Sequence, residues 1–169
     1  MSHRMPKFRY VSTLLLTTTI GYAYAAGKHE HHHHEKHDSG QHHHMSAVGE
    51  PAQDKDVTKT IHVTMLDTMK YEFDGPLDIK EGDVIRFVVK NEGKILHEFS
   101  IGNAMEQKKH AEMMKSMPDM IHEDPNTLSL EAGGKGELIW RFKGKEEVVF
   151  ACNIPGHYEA GMFAKVSLK

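Results

Sequence analysis

From Val57 to the end of the chain, apolar residues recur mostly at every second position. In VIRFVVKN, Ile85, Phe87 and Val89 alternate with Arg86, Val88 and Lys90, the pattern of a half-buried strand. ELIWRFKG puts Leu138, Trp140 and Phe142 on one face and Arg141 and Lys143 on the other. In EVVFAC, Val148, Phe150 and Cys152 share a side, which predicts that the thiol points inward. FAKVSLK places Ala164, Val166 and Leu168 together. Glu81-Gly82-Asp83, Glu131-Ala132-Gly133-Gly134 and Lys143-Gly144-Lys145 are turn signals between these runs. Short alternating strands with such punctuation predict an all-β domain over residues 57–169, a Greek-key β-sandwich.

One segment changes period. In NAMEQKKHAEMMKSMPDMIHEDPN, Asn103 followed by Glu106 reads as a capping box. His110, Met113, Met114 and Met117 then fall at i, i+3, i+4 and i+7 and line one helical face, until Pro118 ends or kinks the helix. The expectation is a Met-rich helical insertion over about residues 103–122, laid on one edge or end of the sandwich.

Ahead of the sandwich the pattern is different again. Arg4, Lys7 and Arg9 precede an apolar run from Val11 to about Ala26, which closes with Ala23-Tyr24-Ala25. A basic start, a short apolar middle and a small-residue exit make residues 1–25 a secretory signal peptide, and the run is too short and threonine-rich for a good membrane span. The expected location is the periplasm, with no integral membrane segment once the signal is removed. Residues 26–56 hold nine histidines and almost no large apolar residue, so they cannot bury enough surface to offset ordering entropy. A disordered leader is expected there. Its clusters His31, His32, His33, His34 and His42, His43, His44 are candidate accessory sites for Cu(II), Zn(II) or Ni(II), as Met113, Met114 and Met117 are for a softer ion; a solvated tail and ordinary packing are the alternatives.

Net charge is −3, and about −6 without the three cations of the first segment, which argues against a nucleic-acid partner. The single cysteine, Cys152, cannot form an internal disulfide. In an oxidising compartment a lone thiol needs burial or a metal to protect it.

CNIPGHYEAGM supplies that metal chemistry. Cys152, His157 and Met162 offer a thiolate, an imidazole and a thioether from one loop after a strand, and Pro155-Gly156 allows the sharp turn that brings His157 back. Such a soft donor set favours copper over calcium or magnesium, and a blue-copper site adds a second imidazole. His97 in KILHEFSIG is preferred as the fourth donor, because it shares a face with Phe99 and Ile101. His62, His110 and His122 remain alternatives. No Ser-His-Asp set, paired catalytic carboxylates or Gly-rich phosphate loop is present, so the chain is not expected to be an enzyme.

The segment FACNIPGHYEAGMFAKVSLK resembles the copper-binding end of cupredoxins, especially those with four residues between cysteine and histidine and four between histidine and methionine, as in rusticyanin and auracyanin. The whole layout is most similar to periplasmic copper-tolerance cupredoxins of the CopI type. The resemblance covers residues 57–169 and implies one type 1 copper, with His97, Cys152 and His157 as equatorial ligands and Met162 axial. His157 would be the electron port; Phe99, Phe150 and Phe163 are candidates for the shell around the copper, with ordinary core packing as the equal alternative. Many cupredoxins carry asparagine after the first histidine ligand. This chain has Glu98, which could bridge the two ligand segments in its place or leave that loop softer. Two functions follow. One is copper homeostasis and tolerance, with copper ions and a copper export system as the expected partners. The other is a dedicated electron carrier between a redox protein such as a cytochrome and a reductase, oxidase or other multicopper enzyme. The His-rich and Met-rich segments favour the first. A monomer is expected.

Overall fold

The computed structural model describes residues 46–117 and 124–169. The signal segment, the histidine clusters of the leader, Pro118, Met120 and His122 lie outside the described residues. In chain order the elements are β1 (Gly49–Pro51), β2 (Lys59–Leu66), β3 (Lys70–Phe73), β4 (Val84–Asn91), β5 (His97–Gly102), α1 (Ala104–Ser116), β6 (Thr127–Leu130), β7 (Lys135–Phe142), β8 (Glu147–Ala151) and β9 (Phe163–Ser167).

They form two sheets, one ordered β1-β7-β4-β2-β3 and the other β6-β5-β8-β9. β2 and β4 pair in parallel; every other pairing is antiparallel. The period-two face of each predicted strand supplies the core. Phe87 and Phe142 from the first sheet and Phe99 and Phe150 from the second are fully buried, with Trp140 beside them. Phe99 and Phe150 stack at 5.4 Å, and Phe87 crosses the interface to lie 5.3 Å from Phe99 and 5.4 Å from Phe150. Burying each such ring contributes about 1.5–3 kcal/mol. This is the β-sandwich expected from the alternation.

Two expectations need correction. The first concerns the boundary at residue 57. β1 pairs with β7, Gly49 opposite Phe142 and Pro51 opposite Trp140, and Val48 is fully buried in the core. The last part of the presumed leader therefore belongs to the sandwich. Backbone pairing, which does not depend on apolar alternation, holds it there.

The second concerns the helix. Its capping box forms as expected, with the Asn103 side chain accepting from the Glu106 N–H and the Glu106 carboxylate accepting from the Asn103 N–H. It does not lie on an edge, however. α1 packs on β5 and β8, the two central strands of their sheet, and Gln107 Nε2 donates to the backbone carbonyls of Ser100 and Val149. That is why β5 is buried on both faces: His97, Phe99 and Ile101 face the core or its rim, while Glu98 and Ser100 face the helix. The inward helical positions are Gln107, His110 and Met114; Met113 is half-buried and Met117 is exposed. No helix among the described residues is long and apolar enough to cross a membrane.

Candidate metal centre

β5 and the loop after β8 meet at one end of the sandwich. Cys152 directly follows β8, on the face shared by Val148 and Phe150, and is fully buried. The chain then turns sharply: Pro155 and Gly156 occupy the middle of a turn closed by the His157 N–H donating to Ile154 O at 3.0 Å, with Gly156 at φ 92°. A proline followed by a residue in the left-handed region is the requirement of a type II turn. The segment returns through Met162, whose N–H donates to His157 O (3.0 Å) and whose carbonyl accepts from the Cys152 N–H (3.1 Å). Met162 is thereby tied to both other donors of the loop, and its side chain is fully buried.

His97 opens β5 from the opposite side. One ligand atom from each of His97, Cys152 and His157 lies within 4.8 Å of the others, the one such group of metal-binding side chains among the described residues. The two imidazole rings are 5.1 Å apart and tilted by 56°. Of the alternatives, His62 is exposed on β2 with Nδ1 2.8 Å from Asp74, and His110 sits on α1 with Nε2 3.2 Å from Glu98, so neither joins the group.

Burial keeps the Cys152 thiol and the His157 ring uncharged until a metal is bound. It pushes the Cys152 thiol up to about 12, which keeps it protonated at neutral pH without a metal. The thiol lies 3.3 Å from His157 Nδ1, and its sulfur accepts from the Glu98 N–H at 3.3 Å. Burial, reinforced by the neighbouring His97, lowers the pKa of His157, which keeps that ring neutral and able to donate a lone pair. The most telling atom is His97 Nδ1. It is buried and has no hydrogen-bond partner among the described residues, although its other nitrogen, Nε2, lies 3.0 Å from Asp67 Oδ1. A buried imidazole nitrogen left without a partner costs free energy unless something occupies its lone pair. Two imidazoles, one thiol and a buried thioether fit Cu(I)/Cu(II) better than a hard cation.

Glu98 resolves to a bridge. Fully buried, it accepts through Oε1 from both the backbone N–H (3.2 Å) and Nδ2 (3.1 Å) of Asn153, next to Cys152, and its Oε2 lies 3.2 Å from His110 Nε2. Asn153 Nδ2 also donates to Gln107 Oε1 at 2.7 Å. One carboxylate thus ties β5, the cysteine loop and α1 together. Phe99 and Phe150 lie in the aromatic core, whereas Phe163 is at the surface, stacked on Tyr158 at 4.9 Å. Met113, Met114 and Met117 occupy half-buried, buried and exposed positions respectively. Asp67 was not among the residues singled out in the sequence. Its partner His97 is 30 positions away, and no local motif marks it. Its carboxyl is held below the ordinary carboxylate range by the Lys94 N–H and by the His97 ring.

Known proteins resemble the chain at both levels. No protein-family profile matches it. It is 48% identical over 124 residues to the copper-resistant cuproprotein CopI of Vibrio cholerae, covering 73% of each chain. It is 38% identical over 143 residues to the protein of the same name from Rubrivivax gelatinosus, covering 78% of this chain and 86% of that one. Among solved structures, auracyanin from Roseiflexus castenholzii superposes with a TM-score of 0.55 at 20% identity, over 67% of this chain and 98% of that one. Auracyanin B gives 0.56 at 19% identity, over 73% and 99%. At these identities the structural likeness speaks for the fold, which is that of the cupredoxins.

Proposed function

The chain belongs to the CopI family of copper-resistant cuproproteins, and from that premise we propose that it binds one copper ion at His97, Cys152, His157 and Met162 and contributes to copper tolerance in the periplasm. Residues 1–25 would direct export, and the histidine clusters of the leader would add capacity for Cu(II). The observation that carries the ligand assignment is the buried, partnerless Nδ1 of His97 beside the Cys152–His157 pair.

When bound, copper would supply one-electron exchange between Cu(II) and Cu(I). The protein's part is to hold the donors. The Pro155–Gly156 turn and the backbone bonds of Met162 fix the loop, the stacked core beneath β5 and β8 excludes water, and Glu98 fastens the two segments. With burial keeping the Cys152 thiol protonated, copper uptake would release its proton. His157, half-buried at the turn, is the donor nearest to solvent and would be the point of electron entry.

The purified protein should show an intense visible thiolate-to-copper charge-transfer band that Cys152→Ser abolishes. A Ser variant that keeps the band refutes the ligand set. A second reading, a dedicated electron carrier to a cytochrome or multicopper enzyme, draws on the same half-buried His157. Gene deletion separates the two. Copper sensitivity with intact respiration supports tolerance, and a respiratory defect without added copper supports the carrier.

A further inference from the structure

Asp67 opens the three-residue turn between β2 and β3, where Leu66 pairs with Lys70 and Met69 takes a left-handed φ of 59°. That conformation at the third loop residue is usual for such hairpins. From this turn the carboxylate reaches across to the loop before β5. Oδ2 accepts from the Lys94 N–H at 2.8 Å, and Oδ1 lies 3.0 Å from His97 Nε2. The loop is shaped to receive it. A Cβ on Gly93 would run into Asp67 Oδ1, so only glycine permits this approach. Asn91, fully buried, pins the same loop by donating to Ile95 O and Leu130 O and accepting from the Gly93 N–H, each at 2.8 Å. His97 itself is sealed from solvent, while the Asp67 side chain is 40% exposed.

An ionised carboxylate can only accept hydrogen bonds, so the proton of a neutral His97 ring sits on Nε2 and the lone pair on Nδ1. Nδ1 is the atom that has no partner among the described residues. We propose that Asp67 is a positioning residue of the copper centre: it fixes His97 in the Nε2–H tautomer with Nδ1 turned to the metal, and its charge biases the centre towards Cu(II) over Cu(I). A neutral carbonyl in the same place would orient the ring equally well but add no net charge. The carboxylate does both, as outer-shell carboxylates of metal-bound histidines do. The inference rests on the ligand set proposed above.

Two substitutions and a metal-free readout test it. In the wild-type apo-protein, ring 15N shifts should report the Nε2–H tautomer of His97. Asp67→Ala should give a tautomer mixture and bind Cu(II) about 10- to 100-fold more weakly in competition titrations. Asp67→Asn removes the charge and leaves one acceptor oxygen for either the Lys94 N–H or His97, so the reduction potential should rise whichever tautomer the ring shifts report. A tenfold loss confined to Cu(II) corresponds to a rise of about 59 mV. An Asp67→Ala protein with wild-type tautomer, Cu(II) affinity and potential overturns the proposal, and an unshifted potential in Asp67→Asn overturns its charge component. Failure of the ligand set is distinguishable, because it appears as a band that survives Cys152→Ser whereas the tautomer is read without copper. A lost band with an unmoved tautomer in Asp67→Ala refutes only the role of Asp67.

Discussion

Removing the Glu98 carboxylate should loosen three segments at once. In Glu98→Ala the Asn153 backbone N–H loses its acceptor, while Asn153 Nδ2 keeps Gln107 Oε1. A buried donor without a partner costs about 1–3 kcal/mol. His110 also loses its near partner, while Asp124 stays at 3.8 Å. Breaking a fully buried pair costs about 3–5 kcal/mol, and since the His110 side chain is 12% exposed the lower end applies. Because the two losses share one carboxylate they overlap, and the expected total is about 3–5 kcal/mol. For a domain of this size that lowers Tm by roughly 10 to 20 °C. Glu98→Gln keeps an acceptor for Asn153 but turns its NH2 towards His110 and so loses that pair; a cost of about 1–3 kcal/mol, below that of alanine, is expected. Scanning calorimetry of the apo-proteins measures both, and His110→Ala completes a double-mutant cycle. An alanine variant melting within about 3 °C of wild type would refute the reasoning. Strict additivity of the Glu98 and His110 substitutions would refute their pairing.

The His110 pair also predicts a pH dependence. Burial disfavours the charged ring, but the hydrogen bond and charge of Glu98, with Asp124, outweigh it and raise the pKa above its ordinary 6.5. A raised folded-state value means this contribution is complete below about pH 6.5 and is lost as pH climbs through the folded pKa. Thermal melts of the apo-protein should therefore weaken from pH 6 to 8, and the slope should be smaller in His110→Gln; equal slopes would contradict the assignment. At the other end of the domain, Gly49 has φ 146°, and a Cβ there would run into Arg141 O and Trp140 Nε1. Gly49→Ala should destabilise by more than about 1 kcal/mol and speed amide exchange along β1 and β7. An unchanged melt would show that β1 is dispensable, and any deletion meant to remove only the leader should end before Ser46.

Much of the molecule was legible because its signals are short-range. Alternation set the inward faces of β4, β7 and β8, and with them Cys152. The Asn103–Glu106 cap needs three residues of spacing, and the Pro155–Gly156 turn needs four residues of chain. His97 could be preferred over His62 because it shares an alternation with Phe99 and Ile101, and the structure puts those side chains where the pattern implied. The helix was legible in existence and start, but not in orientation. A hydrophobicity pattern turns His110, Met113, Met114 and Met117 inward, whereas the sheet accepts Gln107, because a buried amide can donate to Ser100 O and Val149 O.

What the sequence determined by itself is what neighbouring residues decide: strand faces, caps, turns, and the Cys152–His157–Met162 loop with its preference for a soft metal. What needed the tertiary structure is whatever joins distant segments. β1 is three residues of no marked pattern that become a strand only when β7 is alongside. Glu98 reads as a departure from the usual asparagine until Asn153 and His110 are found on its two oxygens. Asp67 carries no local mark at all, since its role depends on a hairpin turn and the β4–β5 loop meeting over Gly93. Hydrogen bonds and charges at 3 Å depend on position in space, and the sequence states position only along the chain.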